Sequence, residues 1–85
     1  MSAPIVFIVG AGDYIGAAIA RRFAKGGFTV CLGRRNGDKL EPLLKDLRNT
    51  GQKAYGYSFD ARDEEATEEI FKKIESTVGA IDLVI

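Results

Sequence analysis

The first chemical signal in the sequence is the stretch Gly10-Ala11-Gly12-Asp13-Tyr14-Ile15-Gly16, which separates a short apolar run from a helix-like pattern. Glycine reaches positive φ and lets a ligand approach the backbone without a side chain in the way. A turn of this kind at the start of a helix offers unpaired N–H groups and the positive end of a dipole, a seat for paired phosphates. Two arginines, Arg34 and Arg35, follow a second apolar run, and Asp60-Ala61 follows a third. A guanidinium matches a phosphate bidentately, whereas an acid in that place would hydrogen-bond a ribose hydroxyl and repel a phosphate. The chemistry these residues can do is therefore binding, of an anion above all. The sequence has no histidine and a single cysteine, Cys31. A histidine base, a Ser-His-Asp triad, the usual zinc sites and an intrachain disulfide are all excluded. No Gly-Lys-Ser/Thr follows the glycines, so the turn is not a P-loop.

Elements must place these residues. Residues 5–9, Ile-Val-Phe-Ile-Val, read as a strand buried on both faces. From Ile15 the period becomes helical, with Ile15, Ile19 and Phe23 four apart on one face and Gly26-Gly27 as the stop. Residues 28–32 form a second strand. Leu40, Leu43, Leu44 and Leu47 then mark a helix that begins between Asp38 and Pro42 and stops at Gly51. Residues 54–59 are a third strand, in which Tyr55 and Tyr57 share a face. Asp63 caps a third helix with Ala66, Ile70, Ile74 and Val78 along its inner stripe, Phe71 beside them, and Gly79 at its end. Its acidic residues, Asp63, Glu64, Glu65, Glu68 and Glu69, form a solvated face in which Lys72 and Lys73 can pair with Glu68 and Glu69. Residues 82–85 open a fourth strand.

This β-α-β-α-β-α-β order predicts an α/β, Rossmann-type doubly wound, mostly parallel sheet. Residues 1–85 read as one unit, without repeats or linkers. An apolar strand ending on Leu-Val-Ile leaves an unpaired edge. The expectation is that these residues are the N-terminal, dinucleotide-binding portion of a single larger domain, with a short edge strand in a small complete protein as the alternative.

The 85 residues are 46% hydrophobic and 28% charged, with 12 basic and 12 acidic side chains and zero formal net charge. That balance argues against nucleic acid or a membrane surface as a general partner. No run approaches the roughly 20 apolar residues of a membrane span. The lone cysteine, packed in the second strand, fits a reducing, cytoplasmic setting.

The glycine spacing departs from the common dinucleotide fingerprint, which would place a glycine at position 15. It resembles instead the turn of the short-chain dehydrogenase/reductase family, whose Gly-x-x-x-Gly-x-Gly puts glycines where Gly10, Tyr14 and Gly16 stand. The continuations from Gly16 to Ala24 and from Gly33 to Leu43 are also similar to that family, and the likeness spans the whole chain. Val9 stands where the family commonly has threonine. Tyr14 replaces the middle glycine, with Gly12 supplying the flexibility, and Asp13 is expected to point away from the phosphates and cap the helix.

The resemblance implies an NADP-binding site built from Gly10, Gly12, Asp13, Tyr14, Ile15, Gly16, Arg34, Arg35, Asp60 and Ala61. In the family an arginine in the place of Arg34 implies NADP rather than NAD. An aspartate in the place of Asp60 accepts a hydrogen bond from the adenine amino group, and the residue in the place of Ala61 makes backbone contacts. The residues themselves also allow solvated loop arginines and a simple turn aspartate. In the family the catalytic tyrosine, lysine, serine and asparagine lie beyond the fourth strand, after Ile85 in this numbering. No tyrosine here begins a Tyr-x-x-x-Lys spacing, so no catalytic residue is assigned and these residues alone are expected not to turn over. The implied activity of the parent protein, often a homo-oligomer in the family, is hydride transfer between NADP(H) and a small carbonyl or alcohol substrate. The alternative is a non-catalytic nucleotide-binding or interaction module. A methyltransferase-like fold would want an acid where Arg34-Arg35 stand.

Overall fold

The computed structural model describes residues 3–10 and 14–85. Strand β1 (Ile5–Val9) is followed by helix α1 (Tyr14–Lys25), then β2 (Thr29–Arg34), a single 3-10 turn (Gly37–Leu40), α2 (Glu41–Asn49), β3 (Ala54–Ser58), α3 (Glu64–Thr77) and β4 (Leu83–Val84). All pairings are parallel and the strand order is β3-β2-β1-β4. The expected doubly wound architecture is observed.

Alternate residues of β1 and β2 face opposite ways, as a pleated strand requires. Val6, Ile8, Val30 and Leu32 pack on one face against Ala20 and Ala24 of α1 and Leu43, Leu44 and Leu47 of α2. Ile5, Phe7 and Cys31 pack on the other against Ile74 of α3, with Ile70, Phe71 and Val78 partly buried around them. Both faces of the sheet are thus covered, and burial of a side chain such as Phe7 contributes roughly 1.5–3 kcal/mol. Phe7 also meets Phe59, Phe71 and Tyr57 at ring-centroid distances of 5.9, 5.3 and 6.4 Å.

The ends of the elements follow local chemistry. Asp63 caps α3 by accepting the Ala66 N–H at 3.2 Å. Gly27 and Gly51, at φ of 94° and 82°, follow the ends of α1 and α2. Arg48 grips the start of β3, donating from Nε and Nη2 to the Ala54 carbonyl at 3.0 and 2.8 Å.

The expected stripe of α1 is shifted. Ile15 is 72% exposed, and the buried positions are Gly16, Ala20 and Ala24, with Ile19 and Phe23 on the shoulder. Small residues four apart let the helix axis approach the sheet closely, and this displaces the large side chains sideways. The i, i+4 pairs expected on α3 are also not formed: among the described residues the ion pairs are Arg21–Asp46 and Arg62–Asp60.

Candidate functional site

The strands on either side of the β1/β4 boundary run out from β1 in opposite directions across the sheet. At such a switch point the loops after the strands diverge and leave a crevice beyond the carboxyl ends. On the β2 side of that boundary the described residues leave an open cavity of about 310 Å³, between the ends of β1, β2 and β3. Val9 ends β1 and Gly10 follows it, Arg34 ends β2 and Arg35 follows it, and residues 59–62 come from the loop after β3.

Gly10 turns the chain out of β1. Its φ is +82°, a conformation L side chains rarely adopt, and its N–H donates to the Gly33 carbonyl at 2.8 Å. Among the described residues nothing lies within 4 Å of the position a β-carbon would take there, which leaves the backbone open to a ligand on that side. Helix α1 starts at Tyr14, and Ile15 stands exposed in its first turn. Gly16 is buried within the helix. Gly12 and Asp13, expected to contribute to the phosphate seat, lie outside the described residues, as does the side chain of Tyr14.

Arg34 ends β2, and its carbonyl accepts the Phe59 N–H at 3.1 Å. The loop that follows is tied to β3 by Ser58, whose hydroxyl accepts the Gly37 N–H at 3.2 Å and donates to the Arg35 carbonyl at 2.9 Å. Asn36 Oδ1 accepts the Asp38 N–H at 3.2 Å and opens the 3-10 turn. The arginines are therefore carried on a fastened loop. Among the described residues neither Arg34 nor Arg35 has a carboxylate partner.

Across the cavity, Asp60 accepts three hydrogen bonds from Arg62: from the backbone N–H at 2.9 Å and Nε at 3.1 Å on Oδ1, and from Nη2 at 3.0 Å on Oδ2. Hydrogen bonds from this guanidinium and backbone hold the carboxyl at about 2, below its usual 3.8. Ala61 is exposed beside it.

The structure therefore brings Gly10, Arg34, Arg35, Asp60 and Ala61 to one opening. Sequence reasoning missed Arg62, together with Val9 and Phe59 in the lining. The available signal was the Asp-x-Arg spacing at a strand end, where the backbone turns back and lets the longer side chain fork onto the shorter. A larger opening of about 670 Å³ lies at the other, N-terminal ends of the strands, near Pro4, Thr29 and Asp82. Asp82 there accepts the Ile5 N–H at 2.8 Å, a structural tie rather than a binding group. Among the described residues no cluster of metal-binding side chains occurs, and no helix is long and apolar enough to cross a membrane.

Known proteins share this fold. The short chain dehydrogenase family profile matches residues 4–85. The chain is 37% identical over 81 residues to 2,3-dihydro-2,3-dihydroxybenzoate dehydrogenase of Bacillus subtilis, covering 95% of this chain and 31% of that protein. Among solved structures, an alcohol dehydrogenase from the archaeon Thermococcus sibiricus complexed with 5-hydroxy-NADP superposes with a TM-score of 0.89 and 33% identity, over 98% of this chain and 36% of the other. A metagenomic short-chain oxidoreductase in complex with NADP gives 0.92 and 26%, over 99% and 38%. The chain thus spans about a third of the length of the relatives it matches. A family match over residues 4–85, on a chain with the parallel sheet described above, places it in the short-chain dehydrogenase/reductase family.

Proposed function

We propose that the cavity beyond β1, β2 and β3 binds the adenosine end of NADP, and that the protein as a whole is an NADP-dependent oxidoreductase. The observation that carries this reading is Arg34, at the end of β2 and lining the same opening as Gly10 and Asp60. Guanidinium groups with no carboxylate partner among the described residues favour the extra 2′-phosphate, and the absence of an acid at this strand end removes the usual ribose contact of NAD. The bare backbone at Gly10 and the first turn of α1 suit the pyrophosphate, and exposed Ile15 offers an apolar surface next to it. The two solved structures described above, one in complex with NADP and one with 5-hydroxy-NADP, support the same assignment.

When bound, the nicotinamide supplies a hydride for a carbonyl or accepts one from an alcohol. The residues of this chain bind and orient. Gly10 leaves room, Arg34 and Arg35 balance phosphate charge, and Asp60 accepts from the adenine amino group.

The experiment is a titration of NADP and NAD, separately, into the native chain and Arg34→Ala. A charge-assisted hydrogen-bonded pair is worth about 1.5–3 kcal/mol, so the dissociation constant for NADP should rise roughly tenfold to a hundredfold while that for NAD changes little. Equal effects on both cofactors would overturn the reading.

A further inference from the structure

We infer that Arg62 is a positioning residue for base recognition: by forking onto Asp60 it leaves that carboxylate a single defined acceptor and makes the cavity select a 6-aminopurine over a 6-oxopurine. This rests on the cavity being the adenosine pocket.

The argument begins with acceptor capacity. A carboxylate offers about four lone-pair sites, two on each oxygen. Oδ1 of Asp60 already takes two donors, the backbone N–H and Nε of Arg62, and Oδ2 takes one, Nη2. One acceptor site remains, on Oδ2. The Asp60 side chain is 38% exposed and lines the cavity, so that site is accessible to a ligand. Three donors from one neighbouring residue, one of them backbone, also leave the carboxylate little freedom to rotate.

Electrostatics adds a second consequence. Asp60 feels the positive charge of Arg35 as well as that of Arg62. Left without Arg62, its carboxylate is drawn toward Arg35, which would cancel a charge the phosphate needs and turn the acceptor away from the base. With Arg62 in place the carboxylate is balanced locally. It can then accept a hydrogen bond and cannot donate one. A 6-amino group presents the matching N–H, whereas a 6-oxo group turns oxygen toward oxygen and is repelled. Arg62 itself is 73% exposed, so an ion pair there contributes little to folding, and its replacement should leave the fold intact.

The test uses the full chain, with adenosine 2′,5′-bisphosphate and inosine 2′,5′-bisphosphate as calorimetric probes, on the native protein, Arg62→Ala and Arg62→Lys. The native chain is expected to prefer the adenosine form roughly tenfold or more, the worth of one hydrogen bond to a charged acceptor. Arg62→Ala should reduce that preference to less than about threefold, and Arg62→Lys, which keeps the charge but loses the fork, should fall between. A preference retained in Arg62→Ala, or fully restored by lysine, overturns the positioning role. Equal binding of both probes by the native chain also overturns it and leaves the proposed function standing. Failure of the native chain to bind either probe removes both.

Discussion

The ring edge of Phe59 lies over the bare α-carbon of Gly33, so close that a β-carbon at position 33 would stand 2.5 Å from Phe59 Cε1. Phe7 Cε1 would be only 3.1 Å away on the same side. Gly33 is thus the place where two aromatic rings from neighbouring elements close over β2, directly below the cavity that Phe59 helps line. Its carbonyl also receives the Gly10 N–H, so the same residue supports the glycine turn.

Gly33→Ala forces both rings to move or the strand to shift. Overpacking of this kind costs about 1–3 kcal/mol. Urea denaturation should show that loss, and titration with NADP should show weakened binding because Phe59 and Gly10 are displaced together. An unchanged midpoint would mean that the rings repack freely around the extra methyl.

Among the described residues, Asp63 is the one side chain that satisfies the first turn of α3, through the Ala66 N–H. Removing an N-cap acceptor costs about 0.5–2 kcal/mol. Because α3 alone covers its face of the sheet among the described elements, Asp63→Ala should lower thermal stability as a whole rather than fray one helix. Asp63→Ser should recover most of the loss. Equal melting of the alanine variant and the native chain would contradict the assignment.

These contrasts show what a linear reading can reach. The parallel sheet was legible because β1 and β2 are continuous apolar runs and because α2 and its N-cap, which lead from β2 to β3, carry leucine at i, i+3, i+4 and i+7 from Leu40 to Leu47. Asp63 was legible because capping is local. Ile15 was misjudged because a periodic pattern does not say how near the helix comes to the sheet. Gly16, Ala20 and Ala24 decide that, and they look unremarkable beside Ile15, Ile19 and Phe23. Arg62 was missed for a different reason: a charge two residues from an acid usually reads as solvent-facing. Its fork onto Asp60 depends on the backbone turning immediately after β3. The pairing of Lys72 and Lys73 with Glu68 and Glu69 failed the other way, since exposed i, i+4 pairs are worth only a few tenths of a kcal/mol and need not form.

The Asp60–Arg62 pair sets a pH dependence with a definite sign. Hydrogen bonds from Arg62 depress the folded carboxyl to about 2 from an ordinary 3.8. The contribution of the ionised form is therefore fully present above 3.8 and disappears as pH falls toward 2. A carbon-detected NMR titration of the Asp60 carboxyl should give a midpoint near 2 in the native chain and one moved up toward 3.8 in Arg62→Ala. Coincident midpoints would show that the fork does not persist in solution.

Cys31 should be chemically silent, despite lying in the strand that leads to the arginines. Burial pushes its thiol up to about 11, a rise that a hydrogen bond with Tyr57 only partly offsets. Tyr57 is itself raised, to about 12, first by burial and then by its thiol neighbour, so neither group supplies a charge near neutrality. At pH 8 only about one thiol in a thousand would be ionised, and the thiolate is the reacting species. Ellman's reagent should consequently label the native chain orders of magnitude more slowly than the chain in denaturant, with NADP having little effect on the rate. Tyr57→Phe removes the hydroxyl that favours the thiolate and should slow labelling further while leaving the aromatic contact with Phe7 in place. Rapid labelling of the native protein would mean that the β2 face under α3 opens to solvent far more often than a packed Phe7–Phe59–Phe71 cluster allows.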